Sequence, residues 1–195
     1  MTDQNDVVAA ILAGGRARRM GGVAKPLLEV EGRTILARLT EALAPFAREI
    51  VVAVADPAQA PPGYRAIIDA HHDSGPLAGI AAARAATDAR WLIAVAGDMP
   101  FLSPPVVAAL LSLARDDLDA IAPRVNGLPE PLLAVWGPAA GAAAARRLAA
   151  RRFKTSGLLT DEGLRVAWLD EPALREVDPS LRCLVNVNRP ADLPR

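Results

Sequence analysis

The sequence predicts an α/β fold, in which a mostly parallel sheet lies between two layers of helices. Apolar strand-like runs alternate with helix-like segments along the chain, the order that builds parallel sheets through right-handed crossovers. Several of these runs are apolar without interruption, as expected for strands that helices cover on both faces. Apolar residues make up 52% of the 195 residues, which is enough for a substantial core. We therefore expect one domain over residues 1–195.

The alternation of apolar runs and helix-like segments gives the bounds of each predicted element. The predicted strands are Val7–Leu12, Ile50–Val54, Ala66–Ile68, Trp91–Ala96, Ala120–Ala122, Leu132–Trp136 and Val166–Leu169. The predicted helices are Ile35–Ala44, Leu77–Ala86, Pro104–Arg115 and Pro138–Arg152. Ser103 followed by Pro104 is a good N-cap and first-turn pair. Ligands of such folds bind where the strands end, at the carboxyl edge of the sheet.

Charge and cysteine content exclude several classes of protein. The formal net charge is zero, so there is no overall attraction to nucleic acid or to an anionic membrane. Cys183 is the only cysteine and lies in an apolar stretch, where a buried structural thiol is expected. The first residues lack the positive region of a secretory signal, and no uncharged apolar stretch is long enough to span a membrane. We expect a cytoplasmic protein.

The first candidate site is a glycine-rich cationic loop over residues 12–25. It follows the apolar strand directly and contains four glycines and four cationic side chains. Glycines let backbone N–H groups approach a ligand closely, and Arg and Lys supply charge for phosphate. The loop is neither a Walker loop nor a dinucleotide fingerprint, since Lys25 stands between Ala24 and Pro26 and the glycines have another spacing. A solvated surface turn is the alternative, but the strand in front of the loop favours a nucleoside triphosphate site.

A carboxylate at the tip of another buried strand forms the second candidate site. Asp98 follows the run Trp91–Ala96 and Gly97, and an oxygen ligand in this position is suited to Mg²⁺ bound together with substrate phosphates. Between the two sites, Gly75 and Gly79 flank a helix start, whose free N–H groups are donors for an anion. Asp69 ends another strand and points toward the same edge or is an ordinary loop carboxylate.

Three further clusters carry weaker signals. We discount His71, His72 and Asp73 as a metal site, because neighbouring side chains diverge and a structural zinc site needs four ligands. Most of the arginines of 146–152, with Lys154, are expected to form a solvated helix face, and contact of one or two of them with an anionic second substrate is the alternative. Asn186 and Asn188 are two positions apart, so in extended backbone both side-chain amides lie on the same face of the chain.

Together these motifs resemble the molybdenum cofactor guanylyltransferases, within the nucleotidyltransferases whose fold is the Rossmann-like sandwich of the nucleotide-diphospho-sugar transferase type. The resemblance covers nearly the whole chain. It is carried by Leu12-Ala13-Gly14-Gly15 with Arg19-Met20-Gly21 and Lys25, by Gly75–Gly79, by Gly97–Pro100 and by Asn186-Val187-Asn188 with Pro190. Two positions depart from the family pattern, Ala24 before the signature lysine and Arg189 after the second asparagine. Related cytidylyltransferases tend to have alanine at the position of Gly14, which favours guanine over cytosine here.

The resemblance implies a Mg²⁺-dependent transfer of GMP from GTP to molybdenum-bound molybdopterin, with release of pyrophosphate. It implies catalytic roles for Arg19, Lys25 and Asp98, with Asp98 as the metal ligand. The implied nucleotide-binding residues are Leu12, Ala13, Gly14, Gly15, Lys25, Asp69, Gly79 and Asp98, where Asp69 assists with the ribose or the metal. Asn186 and Asn188 would receive the molybdopterin. Molybdoenzyme apo-proteins or their chaperones are further implied partners.

Two alternatives remain at this point. One is a cytidylyltransferase that acts on molybdopterin or on another small phosphorylated acceptor. The other is a non-catalytic carrier that binds the pterin cofactor and passes it to an apo-enzyme. A carrier has no need of a triphosphate loop with Lys25 and a metal aspartate such as Asp98, so the sequence favours the enzyme.

Overall fold

The computed structural model describes residues 3–14, 25–69 and 74–187. Its strands are β1 (Val7–Leu12), β2 (Glu29–Val30), β3 (Arg33–Thr34), β4 (Glu49–Val54), β5 (Arg65–Ile68), β6 (Trp91–Ala96), β7 (Ala120–Val125), β8 (Leu128–Pro129), β9 (Leu133–Trp136) and β10 (Val166–Asp170). Its α-helices are α1 (Ile35–Leu43), α2 (Pro76–Ala85), α3 (Pro104–Ser112), α4 (Pro138–Ala149), α5 (Ser156–Thr160) and α6 (Glu171–Val177). Short 3₁₀ turns connect several of these elements.

All predicted strands and helices are present. β1 and β6 have the predicted bounds, and the other predicted elements differ by a few residues at their ends. The helices predicted over Pro104–Arg115 and Pro138–Arg152 end earlier, at Ser112 and Ala149. The sequence pattern did not reveal the short strands β2, β3 and β8 or the helices α5 and α6. Ser103 occupies the N-cap position of α3, although its side chain makes no capping hydrogen bond in the described structure.

The main sheet has the strand order β10-β7-β9-β6-β1-β4-β5, with β8 paired to β7. β1 pairs in parallel with both β4 and β6, so these strands end at one common edge. β9 runs antiparallel to β6 and to β7, and the short strand β8 runs antiparallel to β7. The prediction of a mostly parallel sheet is therefore confirmed, and β9 is the antiparallel strand inserted between β6 and β7.

Two apolar cores, one on each face of the sheet, make the three layers. Alternate residues of β1 enter different cores, as the period of a strand requires: Val7, Ala9 and Ile11 face one core, and Val8, Ala10 and Leu12 face the other. The first core contains residues of α1, α3 and α6, and the second contains residues of α2, α4 and α5. Across the ranges described, no helix has both the length and the apolarity needed to cross a bilayer.

Cys183 is fully buried within the first core, as predicted for a structural thiol. Burial raises the pKa of this thiol, and the neighbouring Asp178 carboxylate raises the pKa further. The backbone N–H of Cys183 donates to Asp178 Oδ2 at 2.7 Å. These contacts hold the segment that leads to Asn186 against the sheet.

Candidate active site

The glycine-rich loop leaves β1 at the centre of the carboxyl edge. The Ala13 N–H donates to Ala53 O at 2.8 Å, so this group continues the pairing with β4 and is not available to a ligand. A Cβ added to Gly14 would lie 3.3 Å from the Ala55 nitrogen, which is a tight contact with backbone. Glycine at position 14 therefore lets the loop pass close to β4.

The rest of this loop lies mostly outside the described residues. The predicted site residues Gly15 and Arg19 fall in the range 15–24, outside the described structure. Lys25 begins a short 3₁₀ turn, Lys25–Leu27, directly after that range. The backbone of Lys25 thus returns near the sheet, and Pro26 Cγ lies within 3.1 Å of a Cβ built on Gly97, at the end of β6.

The second candidate loop, Gly75–Gly79, packs against the end of β1. Gly75 has a φ of 67° at the N-cap of α2, a left-handed conformation that favours glycine. One turn into the helix, a Cβ added to Gly79 would lie 3.2 Å from Leu12 Cδ2. Gly79 and Leu12 are therefore in direct contact, as the sequence prediction requires for two parts of one binding site.

Asp69 lies at the same carboxyl edge of the sheet as Asp98, but some distance from it. It is buried, and its N–H donates to Val54 O at 2.9 Å, which continues the pairing of β5 with β4. Two strands, β4 and β1, separate β5 from β6, which carries Asp98. Three strand spacings correspond to roughly 14 Å, so Asp69 and Asp98 are too far apart to bind the same ion.

Asp98 forms the centre of the site, at the tip of β6. It is half-buried, and Gly97 before it is fully enclosed, with its N–H donating to Leu12 O at 3.0 Å. The backbone oxygen of Asp98 accepts a hydrogen bond of 2.7 Å from the Val187 N–H. This bond brings Asn186, which is exposed, next to the Asp98 loop, although the two segments are distant in the sequence. Asn188 lies outside the described residues.

One acidic residue at this edge, Glu130, did not stand out in the sequence. It lies in the connection between β8 and β9, and its Oε1 accepts a hydrogen bond of 2.9 Å from the Leu132 N–H. Burial raises the pKa of Glu130, and the charge of Asp98 raises it as well, whereas the hydrogen bond from Leu132 lowers it. The available sequence signal was a glutamate two residues before the predicted strand Leu132–Trp136. Without the direction of that strand, the sequence does not show at which edge of the sheet this glutamate lies.

The basic segment 146–154, at the end of α4 and in the turn that follows, differs from its prediction at one residue. The prediction of a solvated helix face is wrong for Arg147, which is buried and donates to Gly157 O and Lys154 O. Arg147 also pairs with Asp161 and Glu162 at 3.2 Å each. The sequence pattern missed this because α5, which supplies the partners, was not predicted.

Arg146 and Arg152 pair with Glu162 as well. The buried guanidinium of Arg147 therefore fixes the turn after α4 as a structural element. Arg151 and Lys154 are exposed on that turn. Contact of one of these cations with an anionic second substrate remains a prediction.

The donor set around Asp98 fits a hard divalent cation better than zinc. Within the described ranges, no three or more His, Cys, Asp or Glu side chains converge on one point. Mg²⁺ needs no such cage, since one or two carboxylates and substrate phosphates complete its octahedral shell. Asp98, half-buried at the carboxyl edge of the sheet, offers one such carboxylate. His71, His72 and Asp73 lie outside the described residues.

Fold and site together define a class of protein. It is a three-layer α/β protein whose candidate site lies at the carboxyl ends of β1, β4, β5 and β6, the edge at which such sheets bind ligands. A family model described as the MobA-like NTP transferase domain matches residues 9–163. The chain belongs to this family, and the prediction of a nucleotidyltransferase is confirmed.

Individual relatives agree with this assignment. A probable molybdenum cofactor guanylyltransferase of Methanosarcina mazei is 36% identical over 198 residues, which cover 95% of this chain and 87% of that protein. The crystal structure of molybdopterin-guanine dinucleotide biosynthesis protein A from Archaeoglobus fulgidus is 28% identical with a TM-score of 0.76, and the match covers 95% of this chain and 94% of that one.

A cytidylyltransferase shares the fold at lower sequence identity. The 2-C-methyl-D-erythritol 4-phosphate cytidylyltransferase from Thermus thermophilus is 19% identical with a TM-score of 0.67, covering 94% of this chain and 93% of that one. The fold is therefore common to enzymes that are named for different bases. The choice of base has to be argued from the loops.

Proposed function

We propose that this chain transfers GMP from GTP to the terminal phosphate of molybdenum-bound molybdopterin and releases pyrophosphate. The observation that carries the proposal is the position of Asp98 between two groups of loops. On one side, β1, β4 and β5 lead to the glycine-rich loop and the Gly75–Gly79 loop. On the other side, the segment with Asn186 is hydrogen-bonded to Asp98 through Val187. The names of the relatives above support the same reaction.

The nucleotide would lie on the β1 side of Asp98. Gly79 packs against Leu12, and Gly14 packs against the backbone at the end of β4, so the backbone of both loops lies close to the sheet edge where a base and a ribose would bind. Gly14 supports guanine, since related cytidylyltransferases tend to have alanine at this position. Asp69, buried at the end of β5, is better placed for the ribose than for the metal. Lys25 and Arg19, from the cationic loop, would neutralise charge on the α-phosphate and the leaving pyrophosphate.

The chemical step needs positioning more than it needs a protein nucleophile. An oxygen of the molybdopterin phosphate forms the new bond to the α-phosphorus of GTP while the bond to pyrophosphate breaks. We propose Asp98 as the ligand of Mg²⁺, which when bound supplies charge stabilisation to the phosphates. Asn186 and Asn188 would hold the molybdopterin, with amides that both donate and accept hydrogen bonds. Molybdoenzyme apo-proteins or their chaperones would then receive the product.

Calorimetric titration with GTP and with CTP, each in the presence of Mg²⁺, tests this proposal. We expect clear binding of GTP and much weaker binding of CTP, because polar groups aligned to one base edge go unpaired with another. Equal or tighter binding of CTP contradicts the guanylyl assignment and favours the cytidylyltransferase. Absence of binding for every nucleoside triphosphate favours the non-catalytic carrier.

A further inference from the structure

Glu130 is fixed at the carboxyl edge by contacts that connect it to the Asp98 loop. Its backbone N–H donates to Pro123 O at 2.9 Å, and its Oε1 accepts from the Leu132 N–H at 2.9 Å. Leu132 O in turn accepts a hydrogen bond of 2.8 Å from the Ala96 N–H, at the end of β6. Ala96 lies two residues before Asp98. Glu130 is therefore held beside the Asp98 loop, on the β9 side of β6 and away from the nucleotide loops.

Glu130 is within electrostatic reach of both Asp98 and the C-terminal segment. The charge of Asp98 acts on Glu130, and the charge of Glu130 in turn acts on Cys183, three residues before Asn186. Glu130 is half-buried, so its carboxylate has lost part of its hydration and has a second carboxylate nearby. Such an arrangement is unfavourable unless hydrogen-bond donors compensate for it. The Leu132 N–H is one donor, and a carboxylate accepts several.

A ligand on the acceptor side is suited to supply further donors to this half-buried carboxylate. A phosphate does not qualify, since it brings negative charge toward Glu130. A heterocycle with two adjacent N–H groups matches a carboxylate, because the two groups reach its oxygens in parallel. The 2-amino-4-oxo ring of a pterin has this edge, formed by its 2-amino group and N3–H. We propose that Glu130 binds the amino edge of the acceptor pterin and so directs the acceptor phosphate toward Asp98; this rests on the proposed function, in which the acceptor is a pterin.

A pair of matched probes tests this assignment without the unstable natural acceptor. Pterin, which is 2-amino-4-oxopteridine, and lumazine, which has a second oxo group in place of the amine, are both fluorescent and are titrated into the full chain at neutral pH. We expect pterin to bind about tenfold to a hundredfold more tightly than lumazine, the range for hydrogen bonds to a charged group. In Glu130→Gln, which retains an oxygen for the Leu132 N–H, this preference should fall to about threefold or less.

Two controls separate recognition from structure. Glu176→Gln, at an exposed carboxyl of α6, should leave the pterin preference unchanged. GTP affinity is measured for each variant and should be unchanged in Glu130→Gln, because Glu130 lies on the other side of Asp98 from the nucleotide loops.

The outcomes distinguish this proposal from the proposed function. If the unmodified protein binds GTP but shows no preference for pterin, the role of Glu130 is refuted and the nucleotide site stands. The same conclusion follows if Glu130→Gln keeps the full preference. If the protein does not bind GTP at all, the proposed function fails, whatever the result with the pteridines.

Discussion

Replacement of Gly97 by alanine is expected to destabilise the fold at the point where the two halves of the site meet. A Cβ at this position would lie 3.0 Å from Leu12 O and 3.1 Å from Pro26 Cγ. Leu12 O already accepts the Gly97 N–H at 3.0 Å and belongs to a buried central strand, so it has little freedom to move. The strand ends must therefore separate by a few tenths of an ångström.

Overpacking of this kind costs about 1–3 kcal/mol. For a chain of 195 residues, a loss of about 2 kcal/mol lowers Tm by roughly 4–8 °C. Thermal unfolding followed by circular dichroism, without ligands, measures the effect. Gly79→Ala is the matched control, since the added Cβ there meets the flexible end of a side chain, Leu12 Cδ2, at 3.2 Å.

Alanine also favours the helix around Gly79 by up to about 1 kcal/mol. We therefore expect Gly79→Ala to change Tm little when no ligand is present. The reasoning is wrong if Gly97→Ala is as stable as the unmodified protein, or if Gly79→Ala is the less stable of the two variants.

Other substitutions test separately the metal ligand, the binding of each substrate and the buried ion pair. Asp98→Asn should lower turnover by about two orders of magnitude or more while leaving Tm unchanged; normal Mg²⁺ dependence in this variant would assign the metal to another residue. Lys25→Ala should weaken GTP binding in calorimetry, whereas Asn186→Ala combined with Asn188→Ala should weaken only acceptor binding, because distant sites act independently. Loss of GTP binding in the folded double variant would refute this division. Arg147→Met should lower the free energy of unfolding in urea by about 3 kcal/mol, because the buried carboxylate of Glu162 loses its buried cationic partner and the Gly157 and Lys154 carbonyls lose their donor; a loss under about 1 kcal/mol contradicts a stabilising role.

The nucleotide half of the site was predictable because parallel strands share an edge. Once Val7–Leu12 and Trp91–Ala96 were identified as buried parallel strands, the residues that follow them had to meet. The structure confirms this with the hydrogen bond from the Gly97 N–H to Leu12 O. Here local pattern and one topological rule were sufficient.

The acceptor half was not predictable in the same way, because the direction of β9 has no signature in the sequence. A residue in front of a parallel strand lies at the amino edge, far from the site. β9 is antiparallel to β6, so the residue in front of it, Glu130, lies at the carboxyl edge instead. The same reversal sends α4 back toward that edge and leads to the turn that carries Arg151 and Lys154.

The location of Asn186 depended on a long-range contact. The spacing of Asn186 and Asn188 indicated a shared face but not the element that this face meets. The hydrogen bond from the Val187 N–H to Asp98 O joins residues 89 positions apart, and no local pattern predicts such a contact. Resemblance to a family suggested the role of the segment, and the structure provides its position.

The most direct test of the proposed reaction is to detect its two products. The protein is incubated with Mg²⁺, GTP and molybdenum-loaded molybdopterin, pyrophosphate release is followed by a coupled assay, and the dinucleotide is identified by mass spectrometry. We expect equal amounts of pyrophosphate and of a guanine dinucleotide, formed about a hundredfold more slowly or slower still in Asp98→Asn, and neither product when the acceptor is omitted. Pyrophosphate release without a dinucleotide, or a cytosine dinucleotide formed preferentially from mixed GTP and CTP, would contradict the proposed guanylyl transfer.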